Sequence, residues 1–147
     1  DNAVEGALFA GFGTAGQRLD ALAEALPRIE QRWTKLNPAP TRKIPVLIGG
    51  GGEKKTLRLV AKHADIWHSF TKVDDLARKL DILAAHGEAV GRDVREIEIS
   101  NELRTLDEAG ADKLLEAGVT LFTLGISGPN YDIANVKRWL RWRDAQR

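Results

Sequence analysis

The feature that most limits what this chain can fold into is a fourfold alternation of strand-like runs with helical stretches. The first run, Ile44–Ile48, is apolar without polar alternation, which is typical of a strand buried on both faces. Further strands are predicted at Ile66–Phe70, Glu96–Leu103 and Leu121–Ile126. Strands that alternate with helices form parallel sheets joined by right-handed crossovers, so the pattern predicts an α/β fold.

A helix is predicted after each strand, because apolar residues recur there at helical spacing. The clearest runs over Val73–Val90 and stops at Gly91, a residue suited to a helix C-terminus. The others are marked by Leu57, Val60, Ala61 and Ala64, by Glu108–Ala117, and by Ile133, Val136, Trp139 and Leu140. One more helix precedes the first strand, and Pro27 inside it is expected to bend or break it near Ala25–Leu26.

Four strand–helix units are half of a (βα)8 barrel, which takes ~250 residues in full. The chain has 147 residues, so we predict a half-barrel over 17–147, while an open doubly wound sheet remains the competing architecture. The Gly- and Ala-rich segment 1–16 is interpreted as a loop or a lid remnant. Because the chain contains no methionine, we expect it to be a processed or partial chain.

The composition excludes several classes of function. There are no cysteines, so the chain holds no disulfide, no thiolate metal site and no cysteine nucleophile. The histidines have no metal-ligand spacing with acidic residues, and no metal site is predicted. A net charge of +1 predicts no nucleic-acid partner. No apolar run approaches the ~20 residues that span a membrane, and we expect a cytoplasmic protein.

Four consecutive glycines, Gly49, Gly50, Gly51 and Gly52, stand between the first strand and its helix. Glycines at this position let the backbone approach an anion, and a helix N-terminus offers unpaired N–H groups. The segment is neither a P-loop nor a dinucleotide fingerprint, because Lys54 occupies a required glycine position in both. We predict a phosphate or cofactor contact at these glycines and at Thr56, against the alternative of a tight turn without a ligand.

Three further side chains are candidates for substrate or cofactor contacts. Trp67 and His68 lie near the end of the second predicted strand, and Asn101 lies near the end of the third. Barrel enzymes place their chemistry at this edge of the sheet, and a histidine there can donate a hydrogen bond or exchange a proton. His63 and His86 fall within helices and are interpreted as surface residues.

The sequence also resembles a known family. The stretch 44–67, which contains the four glycines and the segment Thr56–Ala61, is similar to the luciferase-like monooxygenase superfamily. It is most similar to the branch of F420-dependent oxidoreductases, and the blocks Val90–Asp93 and Gly118–Phe122 support the likeness. The similarity runs from about Gly13 to the end, and it is similarity to the C-terminal half of the family's barrel.

The resemblance implies a barrel that binds FMN or F420, with the glycines touching the phosphate-bearing tail of the cofactor. It implies hydride transfer or flavin-type monooxygenation of a small-molecule substrate, and an isolated chain can be inactive. The alternative is a non-catalytic half-barrel that only binds phosphate or a cofactor. Because a half-barrel exposes two edge strands, we expect it to pair with its missing N-terminal half or to form a homodimer.

Overall fold

The computed structural model describes residues 13–103, 106–128, 130 and 133–146. The chain divides into two compact units, Asp1–Pro45 and Val46–Arg147. The predicted segment 1–16 lies mostly outside the described residues, and the domain assignment made from the sequence stays a prediction.

The first unit contains one long helix, α1, at Ala15–Trp33. A capping box starts it: the Thr14 hydroxyl accepts from the Gln17 N–H, and the Gln17 side chain accepts from the Thr14 N–H. Of the predicted bend or break near Ala25–Leu26, the break is wrong, because α1 continues through Pro27, while the bend stays a prediction. A proline removes one intrahelical hydrogen bond, and the turns on either side hold the helix together.

The second unit is built on a sheet of four parallel strands. They are β1 Leu47–Gly49, β2 Ile66–Ser69, β3 Glu98–Glu102 and β4 Val119–Thr123. Their spatial order is β1-β2-β3-β4, so each strand pairs with the next one along the chain. Sequential parallel pairing of this kind is what half of a (βα)8 barrel requires, and the predicted α/β fold class is confirmed.

The helices of the second unit lie between and after the strands. They are α2 Thr56–His63, α3 Val73–Val90, α4 Glu108–Glu116 and α5 Ala134–Ala145, with a short 3-10 turn at Val94–Glu96. Helix α3 has the predicted bounds, and Gly91 ends it with a left-handed φ of 69°. No helix in the described part of the chain is long and apolar enough to cross a membrane.

Strand β1 differs from its prediction in position and in burial. The Val46 N–H donates a hydrogen bond to the Asp65 carboxylate at 2.8 Å, and the Val46 carbonyl accepts one from the Asp65 N–H. The strand begins only at Leu47. Ile48 is 4% exposed and Leu47 is 51% exposed, so the prediction that β1 is buried on both faces is wrong. The exposed side chain of Leu47 lies on the face of β1 that also carries Gly49, and we call this side of the sheet the open face.

Candidate functional site

The glycines and three other predicted residues meet at the carboxyl end of the sheet. Gly49 pairs with His68 between β1 and β2, and Ser69 pairs with Asn101 between β2 and β3. Side chains alternate between the two faces of a strand, so His68 shares the open face with Gly49. Trp67 is fully buried and lies on the opposite face.

The glycine loop, Gly49–Gly52, has two positions that a larger residue cannot occupy without rearrangement. Gly50 has a φ of 119°, a left-handed conformation, and its N–H donates to the His68 carbonyl at 2.9 Å. A Cβ atom on Gly52 would lie 2.8 Å from Oγ1 of Thr56. Thr56 is buried at the start of α2, and it packs against the loop from inside the protein.

Two side chains fix the peptide planes of this loop. The indole Nε1 of Trp67 donates to the carbonyl of Gly50 at 2.8 Å. The ammonium Nζ of Lys79 donates to the carbonyl of Gly51 at 2.6 Å. The carbonyl and N–H of a trans peptide point in opposite directions, so the N–H groups of Gly51 and Gly52 point away from these two donors.

These two N–H groups, which we call the amide pair, form no hydrogen bond with any residue that the structure describes. Successive backbone N–H groups held in this way create a concave site for an anion. The loop also leads into α2, whose N-terminus adds the positive end of the helix dipole. The predicted phosphate contact at the glycines therefore has two candidate N–H donors, and it stays a prediction.

A cluster of charged groups from α3 supports the loop at Glu53. The Glu53 carboxylate lies 2.7 Å from Arg78 and 3.3 Å from Lys79. Hydrogen bonds from Arg78, and then from Lys79, lower the pKa of Glu53 below its ordinary value. His86 Nε2 lies 2.8 Å from the Glu53 carbonyl, so His86 binds the loop and is not a plain surface residue.

The sequence reasoning missed Lys79 and His86 as parts of this site. They stand seven residues apart on α3, a spacing that places both on one face of a helix. That spacing was the available signal, but nothing local indicates that this face meets a loop more than twenty-five residues earlier.

His68 and Asn101 have different surroundings. His68 Nδ1 lies 2.9 Å from the hydroxyl of Ser100, and the ring packs edge-on against Phe70. Asn101 is buried, and its side-chain amide donates to the Thr71 carbonyl at 3.0 Å. In this structure Asn101 holds the β2–α3 connection and Trp67 holds the glycine loop, while ligand contact by Trp67, His68 and Asn101 stays a prediction.

A small cavity opens at the same end of the sheet. Its volume is about 160 Å³, and Phe70, Thr71, Asn101 and Glu102 form part of its lining. Among the residues with described positions, no group of three or more histidine and acidic side chains is placed to hold a metal ion. The cavity is lined by both polar and apolar side chains, and the glycine loop is not part of its lining.

Comparison with known proteins identifies a family. Residues 14–116 match the model of the luciferase-like monooxygenases, which covers α1, the glycine loop and three of the four strands. No curated protein matches the chain.

Proposed function

Because the chain belongs to the luciferase-like monooxygenase family, we propose that it forms one wall of the cofactor site of an F420- or FMN-dependent oxidoreductase. Family membership indicates oxidoreductase chemistry of the flavin type. We further propose that the cofactor is FMN or F420, that the amide pair contacts it, and that the chain is the C-terminal half of the family's barrel.

The observation that carries the proposal is the orientation of the amide pair. Trp67 and Lys79 take up the carbonyls of Gly50 and Gly51, which leaves two adjacent N–H donors available to a phosphate. Gly50 and Gly52 keep the approach to these donors free of side chains. Backbone N–H groups at the start of a helix are a common way to bind the phosphate of a nucleotide-like cofactor.

FMN and F420 share the features that this wall can recognise. Both carry a phosphate on a flexible tail and a planar ring system with hydrogen-bond acceptors. The amide pair would hold the phosphate, and the open face beside Gly49 and His68 offers space for the ring. Once bound, such a cofactor supplies hydride transfer or oxygen-dependent chemistry, and the protein supplies position and electrostatics.

The residues of this chain have separate tasks in the proposed site. Lys79 and Trp67 orient the loop, and Thr56 packs beneath it. Gly49 leaves room on the open face, because among the described residues the nearest atom to a Cβ there would be the His68 carbonyl, at 4.0 Å. Their common effect is a rigid donor surface that needs no rearrangement when the anion arrives.

Fluorescence titration of the purified chain tests the proposal. Oxidised FMN, oxidised F420 and riboflavin are each titrated with protein, since riboflavin has the flavin ring of FMN without its phosphate. We expect FMN or F420 to be quenched, and riboflavin to bind at least about tenfold more weakly, because it lacks the charge-assisted contacts. Equal binding of FMN and riboflavin would contradict the phosphate contact.

Glycine variants locate the binding to the loop. Gly50→Val strains a left-handed backbone, and Gly51→Val places methyl groups where the Lys79 ammonium now lies, 3.5 Å from the Cβ position. Both are expected to lose quenching. Gly118→Val is the matched control, because Gly118 also has a positive φ, 95°, but lies before β4 with no atom of a described residue within 4 Å of its Cβ position. An equal loss in Gly118→Val would point to general unfolding.

A second candidate function is a non-catalytic half-barrel that binds phosphate groups. It is favoured by the same amide pair, which recognises an anion without any contact to a ring. In that case inorganic phosphate and pyrophosphate would protect the chain against thermal unfolding as well as FMN and F420 do. A preference for the two cofactors over pyrophosphate favours the oxidoreductase.

We also propose that the half-barrel is completed by a partner, either an N-terminal half-barrel or a second copy of the chain. Leu47 and Phe70 are exposed by 51% and 73%, and β1 and β4 are edge strands within the described sheet. Exposed edges and apolar side chains of this kind favour association. Light scattering tests this proposal, and a monomer with a cooperative thermal transition would contradict it.

A further inference from the structure

A histidine and a buried serine lie side by side on the open face of the sheet. His68 on β2 is in register with Ser100 on β3, and Nδ1 of the ring lies 2.9 Å from the serine Oγ. Ser100 is 0% exposed, so its hydroxyl has no access to solvent. The pair was not recognisable from the sequence, because thirty-two residues separate its members.

The hydrogen of this contact belongs either to the Ser100 hydroxyl or to Nδ1 of His68, and the donors and acceptors present decide between the two. Within the described residues, His68 is the hydrogen-bond partner of the Ser100 hydroxyl. If Nδ1 carried the hydrogen, the serine hydroxyl would accept it and its own hydrogen would be buried without an acceptor. A buried donor without a partner is unfavourable, so the hydroxyl donates to Nδ1. The neutral ring then carries its hydrogen on Nε2.

We infer that Ser100 is a positioning residue that holds His68 in the Nε2–H form, and that His68 offers this N–H to a hydrogen-bond acceptor of the ligand. The acceptor would be a carbonyl oxygen or ring nitrogen of a planar heterocycle bound over the open face. The nature of that ligand rests on the proposed function, whereas the state of the ring does not.

The surroundings of the ring support a role in binding. On one side His68 pairs with Gly49, which has no side chain that could cover the imidazole. Phe70 packs against the ring edge-on, with centroids 5.1 Å apart and an interplanar angle of 86°. Ser100 and Phe70 together restrict rotation of the imidazole, which keeps the distal nitrogen in a constant place.

Nitrogen NMR of the ¹⁵N-labelled chain tests the state of the ring directly. The chain has three histidines, and comparison with His68→Gln assigns the signals of His68. In the free chain at about pH 8.5 we expect the hydrogen on Nε2 and an acceptor-type Nδ1. Hydrogen on Nδ1 would overturn the inference.

Two serine variants show whether Ser100 is responsible. In Ser100→Ala the Nδ1 resonance is expected to move to the position of a ring nitrogen without a hydrogen bond. Ser100→Thr keeps the hydroxyl and is expected to keep the wild-type resonance. An unchanged Nδ1 resonance in Ser100→Ala would overturn the role of the serine.

The ligand contact is tested with the same sample by adding FMN and F420. Binding is expected to shift the His68 Nε2–H signal, and His68→Leu is expected to weaken binding about tenfold, while His68→Gln keeps a donor and much of the affinity. Quenching without any shift at Nε2 would overturn the donor role and leave the proposed function intact. Absence of quenching would overturn the proposed function and the ligand contact together, and the tautomer measured on the free chain would still decide the role of Ser100.

Discussion

The ammonium nitrogen of Lys79 lies 2.6 Å from the carbonyl oxygen of Gly51, which precedes it by twenty-eight residues. The side chain of Lys79 is only 14% exposed, so this contact is made largely out of water. A charge-assisted hydrogen bond of this kind fixes the plane of the Gly51–Gly52 peptide. The direction of the Gly52 N–H therefore depends on a residue of another secondary-structure element.

Lys79→Met is expected to weaken FMN or F420 binding about tenfold, because the Gly51–Gly52 peptide is then free to rotate and must be ordered when the phosphate binds. Methionine keeps the length of the side chain but cannot hold the Gly51 carbonyl. Lys62→Met, at an exposed position on α2, is the control and should bind as the wild type does. Equal affinity of Lys79→Met and wild type would show that the lysine does not orient the loop.

Trp67→Phe, compared with a matched variant, tests whether the hydrogen bond to Gly50 affects cofactor binding beyond its effect on the stability of the chain. The change removes the hydrogen bond to Gly50 and part of a fully buried ring, so the free energy of unfolding should fall by about 2–4 kcal/mol. Trp142→Phe is a close match, because its buried indole donates to Asp112 at 2.8 Å in the cluster between α4 and α5. Chemical denaturation should show a loss in both variants, and titration should show weaker cofactor binding only in Trp67→Phe. Comparable weakening in Trp142→Phe would indicate a global effect.

Gly87→Ala should destabilise the chain although alanine is the better helix former. Gly87 is buried in α3, and a Cβ atom there would meet the side chain of Val94 and lie 2.8 Å from the Arg92 carbonyl. Overpacking of this kind costs about 1–3 kcal/mol, which exceeds the ~1 kcal/mol gained in helix propensity. The midpoint of thermal unfolding is measured for Gly87→Ala and, as the comparison, for Gly110→Ala. At Gly110 the atoms nearest to a Cβ position are side-chain atoms at 3.1 Å. A higher midpoint for Gly87→Ala than for wild type would be the contrary result.

Asp93 should contribute to the acid sensitivity of the fold. Hydrogen bonds from the Arg95 side chain, and then from its backbone N–H, lower the pKa of Asp93 from 3.8 to about 2. A carboxyl group whose pKa is depressed on folding stabilises the native state above the unfolded pKa, and this contribution is lost as the pH falls to the folded pKa. Between about pH 4 and pH 2, Asp93→Asn should therefore lose less stability than wild type, as measured by urea unfolding at each pH. Equal losses of stability in the two proteins over this pH range would argue against a contribution from the Asp93–Arg95 pair.

The number and type of the strands were predicted because strand–helix alternation is a local pattern, whereas β4 lies at Val119–Thr123 and not at the predicted Leu121–Ile126. The bounds of α3 followed from apolar spacing and from Gly91, which needs no information from elsewhere in the chain. The burial of β1 was predicted wrongly, since a run of apolar residues does not show whether a second layer covers it, and Leu47 is exposed. Pro27 was expected to bend or break α1 because a proline removes a hydrogen bond from its own turn. The helix nevertheless continues through it, since the turns on either side keep their hydrogen bonds.

The site was predicted only in part. The four glycines are adjacent in the sequence, and their place between a strand and a helix indicated an anion-binding loop. Lys79, His86 and Ser100 each contact a residue about thirty positions earlier, through helix–loop and strand–strand contacts that exist only in the folded chain. A lysine on a helix and a serine in a strand have no local feature that distinguishes them from surface or core residues.

The amide signals of Gly51 and Gly52 provide the most direct test of the central claim, that the glycine loop binds the phosphate of the cofactor. In a ¹⁵N-labelled sample, FMN should shift these two backbone amides, and an equal concentration of riboflavin should leave them unchanged. Shifts of the same two amides by riboflavin, or FMN shifts confined to other parts of the chain, would contradict the account.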